Sequence, residues 1–160
     1  MFKTSEKVFN PAHYLTLKHM ELISRHIVPG DSLLDVGTGT GILALTGLQC
    51  GASKVTATDI SEDALNLARE NIVSNHAEID IVNTHLNWNI EGVYNIISAN
   101  LEPTQACEFT QYAINNMDHN SVLFLSWCND IPIDCITKYY QIMDRIDFGK
   151  NFDIYVLKLK

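Results

Sequence analysis

Gly37, Gly39 and Gly41 place three glycines in five positions directly after the strand-like run 33–36, which carries one acid, Asp35. A second strand-like run, 54–58, ends in another acid, Asp59, about 20 residues beyond the glycines. Glycines at a strand-to-helix turn remove the Cβ atoms that would hold a ligand off the backbone, and they accept the positive φ angles such a turn requires. A carboxylate at that distance is placed to accept both hydroxyl hydrogens of a ribose. The pattern therefore offers to hold a nucleoside-bearing ligand directly on the main chain, with Thr38 inside the loop and Ile60 beside the acid as flanking contacts.

Two ligand classes use such a unit, and Asp35 separates them. A dinucleotide brings a doubly charged pyrophosphate to the start of the helix after the loop, where Asp35 would repel it. S-adenosylmethionine carries the opposite charges. Its sulfonium and ammonium groups suit a pocket holding Asp35, and its carboxylate can take the free amide hydrogens of the loop. The segment Gly39-Thr40-Gly41-Ile42-Leu43-Ala44 still fits the relaxed dinucleotide pattern. A nicotinamide-dinucleotide-dependent oxidoreductase is thus the alternative, and a non-catalytic S-adenosylmethionine-binding module needing a partner chain is another.

Asn100 follows the fourth strand-like run and would stand at the carboxyl edge of a sheet, where open α/β proteins hold their ligands. Its amide offers both a donor and an acceptor, enough to hold a neutral nitrogen nucleophile with the lone pair aimed at a methyl group. The other reading is that Asn100 caps the helix that follows. The acceptor side would then fall to Glu102, Ser126 and Trp127. His19 and His26 read as half-buried surface histidines. Cys50, Cys107, Cys128 and Cys135 form no C-x-x-C pair and no zinc spacing, so reduced thiols and no metal are expected.

The scaffold that must position these residues is short. The 160 residues read as a single domain, 1–160, with 1–10 as an N-terminal arm. No run approaches the ~20 apolar residues of a membrane helix, and the first residues do not open a secretory signal, so a cytoplasmic protein without a membrane partner is expected. Eleven basic against nineteen acidic side chains leave a net charge of -8. That balance argues against nucleic acid and would steer a cationic peptide or an amine inward, although the same charge also serves solubility.

Apolar residues at helical spacing predict an amphipathic helix over 14–27. Strands follow at 33–36, 54–59, 79–83, 93–99 and 121–126, alternating with helices at 42–50, from 62 to about 75, at 104–117 and at 132–140. Ser61 is the expected N-cap of the third helix, and 84–92 is a loop carrying Trp88. The tail, 143–148 and 152–158 around Gly149, reads as an antiparallel hairpin on one edge. The fold class is α/β: a single Rossmann-like doubly wound sheet, mostly parallel, with seven strands and that C-terminal hairpin.

From about residue 9 onward the chain resembles the catalytic domain of class I S-adenosylmethionine-dependent methyltransferases, most closely the PrmA-type family that methylates amino groups of a large-subunit ribosomal protein. The residues carrying the resemblance are His13 and Thr16 as the family's His-x-x-Thr element, Asp35 to Gly41 as its glycine loop, Asp59 as its ribose acid, Asn100 after the fourth strand, and Leu125-Ser126 closing the fifth. The resemblance implies a donor contact for Thr16 and donor and acceptor contacts for Asn100. Three departures stand out. Nothing in the chain matches the family's separate N-terminal domain, which holds the ribosomal protein. Residues 9–12 replace its glycine-rich segment before the histidine. His85 occupies the place of the acid that contacts the adenine amino group, with Trp88 or a backbone carbonyl as further candidates there. The reading is an S-adenosylmethionine-dependent methyltransferase acting on a nitrogen, less readily an oxygen, of a peptide, protein or small amine, with a partner chain or a homodimer left open.

Overall fold

His13 starts the first helix. Its Nδ1 accepts the backbone N–H of Leu15 at 3.3 Å, and α1 (Tyr14–His26) runs from there with Leu15, Thr16, His19, Leu22 and Ile23 on one buried face. The computed structural model describes residues 2–6, 10–84, 88–128, 133–149 and 152–160. Gly30, at φ +102°, turns the chain into β1 (Ser32–Val36). The next helix, α2 (Ile42–Gln49), packs so closely that a Cβ on Gly47 would fall 2.2 Å from Leu33 Cδ2. After β2 (Lys54–Asp59), the Ser61 hydroxyl accepts from the Ala64 amide at 3.3 Å, and Glu62 and Asp63 lie in the first turn of α3 (Glu62–Ser74), where acids favour the helix dipole. Then come β3 (Asp80–Asn83), β4 (Ile96–Asn100), α4 (Pro103–Ala113), β5 (Val122–Cys128), α5 (Ile133–Thr137), β6 (Tyr140–Asp147) and β7 (Phe152–Leu159).

The seven strands form one sheet in the order β3-β2-β1-β4-β5-β7-β6. The first five are parallel, β7 runs antiparallel to β5, and β6 runs antiparallel to β7. Central strands are nearly continuous apolar runs because helices cover both faces. Leu33, Phe124 and Ile154 pack with Leu15, Leu22 and Ile23 of α1 on one face, and Leu34, Ile97 and Leu125 pack with Phe109 of α4 and Ile136 of α5 on the other. This is the α/β sheet with an antiparallel C-terminal hairpin that the order of elements predicts. The chain winds outward from β1 to β3 and returns on the other side of β1 as β4. The crevice at this reversal, outside the carboxyl ends of β1 and β4, is where such sheets hold ligands.

Several boundaries differ from expectation, each for a tertiary reason. Residues 93–95 lead into β4 instead of belonging to it, since the Tyr94 amide goes to Asn116 O and Asn95 Oδ1 takes the Ser32 amide. α4 ends at Ala113 and tightens into a 3-10 turn, Ile114–Asn116, whose Asn116 side chain donates to Ile90 O and Gly92 O. The expected helix through 140 stops at Thr137 because Tyr140 is drawn into the sheet. It pairs with Leu159, is fully buried, and donates its hydroxyl to Thr110 O at 2.7 Å.

Candidate active site

The loop after β1 is held from beneath. Gly37 and Thr38 both donate their amides to Thr58 O of the neighbouring strand, at 2.9 and 2.8 Å, and Gly41, at φ +81°, opens α2. Gly37, at φ +73°, is where two strand ends meet: a Cβ there would lie 2.9 Å from Leu101 Cδ2 and 3.3 Å from Asn100 O. Asp59 is the loop's outer brace. Its Oδ2 accepts the Gly39 amide at 3.0 Å and its Oδ1 the Ser61 amide at 2.9 Å. Each oxygen keeps a further lone pair for a ligand.

Asp35 sits behind the loop and lines neither recess beside it. Its Oδ2 accepts from the Thr38 hydroxyl at 2.6 Å and from the Ala44 amide at 3.1 Å, while Oδ1 has no partner among the described residues. Complete burial, which outweighs those two bonds, pushes its carboxyl up to about 7, and Asp59 adds to the rise. On the far side of the loop, the wholly buried Asn71 of α3 donates to Thr40 O and Lys3 O, 2.9 Å each, so the N-terminal arm and the glycine loop share one support.

Two narrow recesses, about 40 Å³ each, flank Gly37. Pro11, Thr16, Thr38, Gly39 and Asn100 line the first. The second is formed by Asp59, Ile60, Thr84, Trp88, Leu101 and Gln105. Trp88, at φ +46°, lies against Phe109 with ring centres 5.1 Å apart. Two larger hollows, about 550 and 440 Å³, lie beside β3 at the opposite end of the strands, and neither includes the loop, Asp59 or Asn100. The loop and the strand ends thus define the site, with Thr16, Gly37, Thr38, Gly39, Asp59, Ile60 and Asn100 brought together. His85 and the Trp127 side chain lie outside the described residues.

Asn100 does not cap α4. The N-cap is Glu102, and the Asn100 Oδ1 accepts from the Ser126 hydroxyl at 3.0 Å. Behind Ser126 stands His19, whose Nε2 is 2.8 Å from Ser126 Oγ and whose Nδ1 is 2.7 Å from Ser98 Oγ. His19 is therefore not a half-buried surface residue: it is 0% exposed, and burial pulls its imidazole down to about 3, leaving it neutral. α1 lies across β4 and β5 where both serines point at it. A signal was present in the strands, because Ser98 and Ser126 interrupt runs otherwise apolar enough to be wholly buried, and buried hydroxyls need partners. His26 is exposed, with its Nδ1 bonded to Leu22 O at 2.8 Å.

The family model for ribosomal protein L11 methyltransferase (PrmA) matches residues 11–128, from the lip of the first recess to the end of β5. The chain belongs to this family. The PrmA relative from Caldicellulosiruptor saccharolyticus, named ribosomal protein L11 methyltransferase, is 39% identical over 89 residues, which is 56% of this chain and 30% of the relative. The protein of the same name from Thermotoga neapolitana is 29% identical over 129 residues, 81% of this chain and 49% of its own length. The chain thus spans 30 to 49% of the length of these curated relatives. The crystal structure of the ribosomal protein L11 methylase from Lactobacillus delbrueckii subsp. bulgaricus superposes with a TM-score of 0.81 at 25% identity, covering 92% of this chain and 80% of that one. The PrmA match includes the glycine loop, Asp59 and Asn100, and also His19, Ser98 and Ser126.

Proposed function

We propose that this chain binds S-adenosylmethionine and catalyses in-line methyl transfer to a nitrogen of a peptide, protein or small amine. The observation that carries the reading is one juxtaposition: Gly37 lines both recesses, with Asp59 on one side of it and Asn100 on the other. A donor lying across that glycine would have Asp59 beside its ribose and Asn100 toward its methyl end. The residues present fit such a group. Gly37 has no Cβ to press on Leu101 and Asn100 O where the two recesses meet, and Asp35 Oδ1, buried behind the loop, has no partner among the described residues. Membership of a family named for a methyltransferase supports the methyl donor over a dinucleotide, and Asp35 supports it on charge.

The sulfonium supplies an already activated methyl group, so the chain's task is placement. In this reading Asp59 accepts the ribose hydroxyls with its remaining lone pairs, and Trp88, Ile60 and Leu101 enclose the adenine. Thr16 and the loop amides hold the methionine end. Asn100 would orient the acceptor, whose nitrogen must arrive neutral so that its lone pair can take the methyl group; the C–S pair would leave with sulfur and the ammonium proton would pass to water. A cytoplasmic location goes with this reading; no described helix is long and apolar enough to cross a membrane.

Calorimetric titration with S-adenosylmethionine, followed by transfer of labelled methyl into recombinant ribosomal protein L11 and into a size-fractionated lysate, tests the proposal. One-to-one binding and label in a protein or small-amine fraction are expected. Binding with no labelled product would make the chain a binding module, and a melting shift with a nicotinamide dinucleotide alone would move it to the oxidoreductases.

A further inference from the structure

We infer that His19 is a positioning residue, which through Ser126 fixes the sense in which the Asn100 carboxamide faces the cleft; the inference rests on the acceptor role proposed for Asn100. Four side chains from three elements form one line, Ser98, His19, Ser126, Asn100, with successive separations of 2.7, 2.8 and 3.0 Å. The first three are 0% exposed, and only Asn100 reaches the cleft.

Proton counting fixes the polarity of this line. A serine hydroxyl has one hydrogen to give. The Ser126 hydroxyl gives it to Asn100 Oδ1, so its oxygen must accept from His19, and Nε2 must carry the ring proton. Nδ1 is then bare and takes the hydroxyl hydrogen of Ser98. The ring is neutral, so no second ring proton disturbs this order. Reversing the carboxamide would set its NH2 against Ser126 and reverse every bond behind it, ending in the Nδ1–H tautomer. The tautomer of a buried ring and the facing of an amide in the cleft are thus one variable. In the observed sense Oδ1 is anchored, its second lone pair is available to an acceptor N–H, and Nδ2 has no partner among the described residues.

The test is nitrogen-15 NMR on the full chain, read without any methyl acceptor. Wild-type His19 is expected as the neutral Nε2–H tautomer, with the Asn100 side-chain NH2 as two sharp, distinct resonances. Ser126→Ala should shift or broaden that pair and leave S-adenosylmethionine affinity within about twofold, a change of under ~0.4 kcal/mol. Ser126→Thr, which keeps the hydroxyl, should restore the pair. An Nδ1–H tautomer, or an Asn100 pair that does not respond to Ser126→Ala in a folded protein, overturns the inference. Should Ser126→Ala fail to fold, Ser98→Ala gives the same reading one bond further back, at the His19 tautomer. Transfer by Asn100→Ala into L11 tests the acceptor role separately, so the two can fail independently.

Discussion

The half of the cleft proposed to bind the donor and the half proposed to place the acceptor are built on different scales of the chain. Around the glycine loop, the bonds that shape the site join residues 3, 9 and 20 apart: Thr38 to Asp35, Ala44 to Asp35, and Gly39 to Asp59. These three lie within one strand-helix-strand unit, and the Asn71 bond to Thr40 O, across 31 residues, joins them from α3. On the acceptor side, Asn100 meets Ser126 across 26 residues, and His19 meets Ser98 and Ser126 across 79 and 107. That half exists only once α1 has packed over β4 and β5. The difference teaches that binding of the donor and placement of the acceptor can be damaged separately, the first by changing local polar contacts and the second by loosening the core.

The largest effect is expected where the acceptor half is rooted. His19→Ala removes a wholly buried ring and deprives Ser98 and Ser126 of their partner, which should cost roughly 2–5 kcal/mol of folding stability. Chemical denaturation reads this directly. A loss below about 0.5 kcal/mol, the level of an ordinary surface substitution, would break the comparison at its root. Next comes Asp59→Ala, expected to weaken S-adenosylmethionine binding by roughly 1.5–3 kcal/mol, ten- to a hundredfold, with little change in the midpoint of unfolding. An unchanged dissociation constant in a folded variant would remove Asp59 from the donor half.

Asp35 sharpens the contrast through pH. Its carboxyl holds a proton up to about 7 in the folded chain against 3.8 ordinarily, so between those values the folded state binds more protons than the unfolded one. This group's contribution to stability is therefore fully present below about 4 and falls as pH rises toward 7. A cationic donor prefers the ionised carboxylate, so its affinity should rise as pH passes upward through about 7. Asp35→Asn should flatten that rise, and S-adenosylhomocysteine, which lacks the sulfonium, should show less of it. Calorimetry at three pH values decides; equal slopes for both ligands would sink the electrostatic role. The smallest effect is expected from Asn100→Ala on donor affinity, within about twofold, while methyl transfer drops. A large loss of donor affinity would mean that the two halves are not separable.

Gly37, Gly39, Gly41, Asp59 and the Ser61 cap were legible in the sequence because each does its work within a few residues or one β-α-β unit, where spacing determines geometry. In the sequence Trp88 is a loop residue and a candidate for the adenine side; the structure buries it against Phe109. The sequence displays the charge of Asp35, while its burial behind the loop depends on how α2 seats against β1. The end of the helix before Tyr140 depended on a hydroxyl reaching Thr110 in α4, a contact with no local trace.

By itself the sequence determined a mostly parallel sheet, a glycine loop at its carboxyl edge and an acid to face it, because strand alternation, turn chemistry and capping are short-range preferences. Tertiary structure alone decided that His19 is a neutral interior residue and not a surface one, that Asn100 faces Ser126 and not the helix after it, and that β7 inserts between β5 and β6. Those outcomes turn on which faces bury together, and a buried hydroxyl takes its partner from whatever chain packing brings within 3 Å, however distant in sequence.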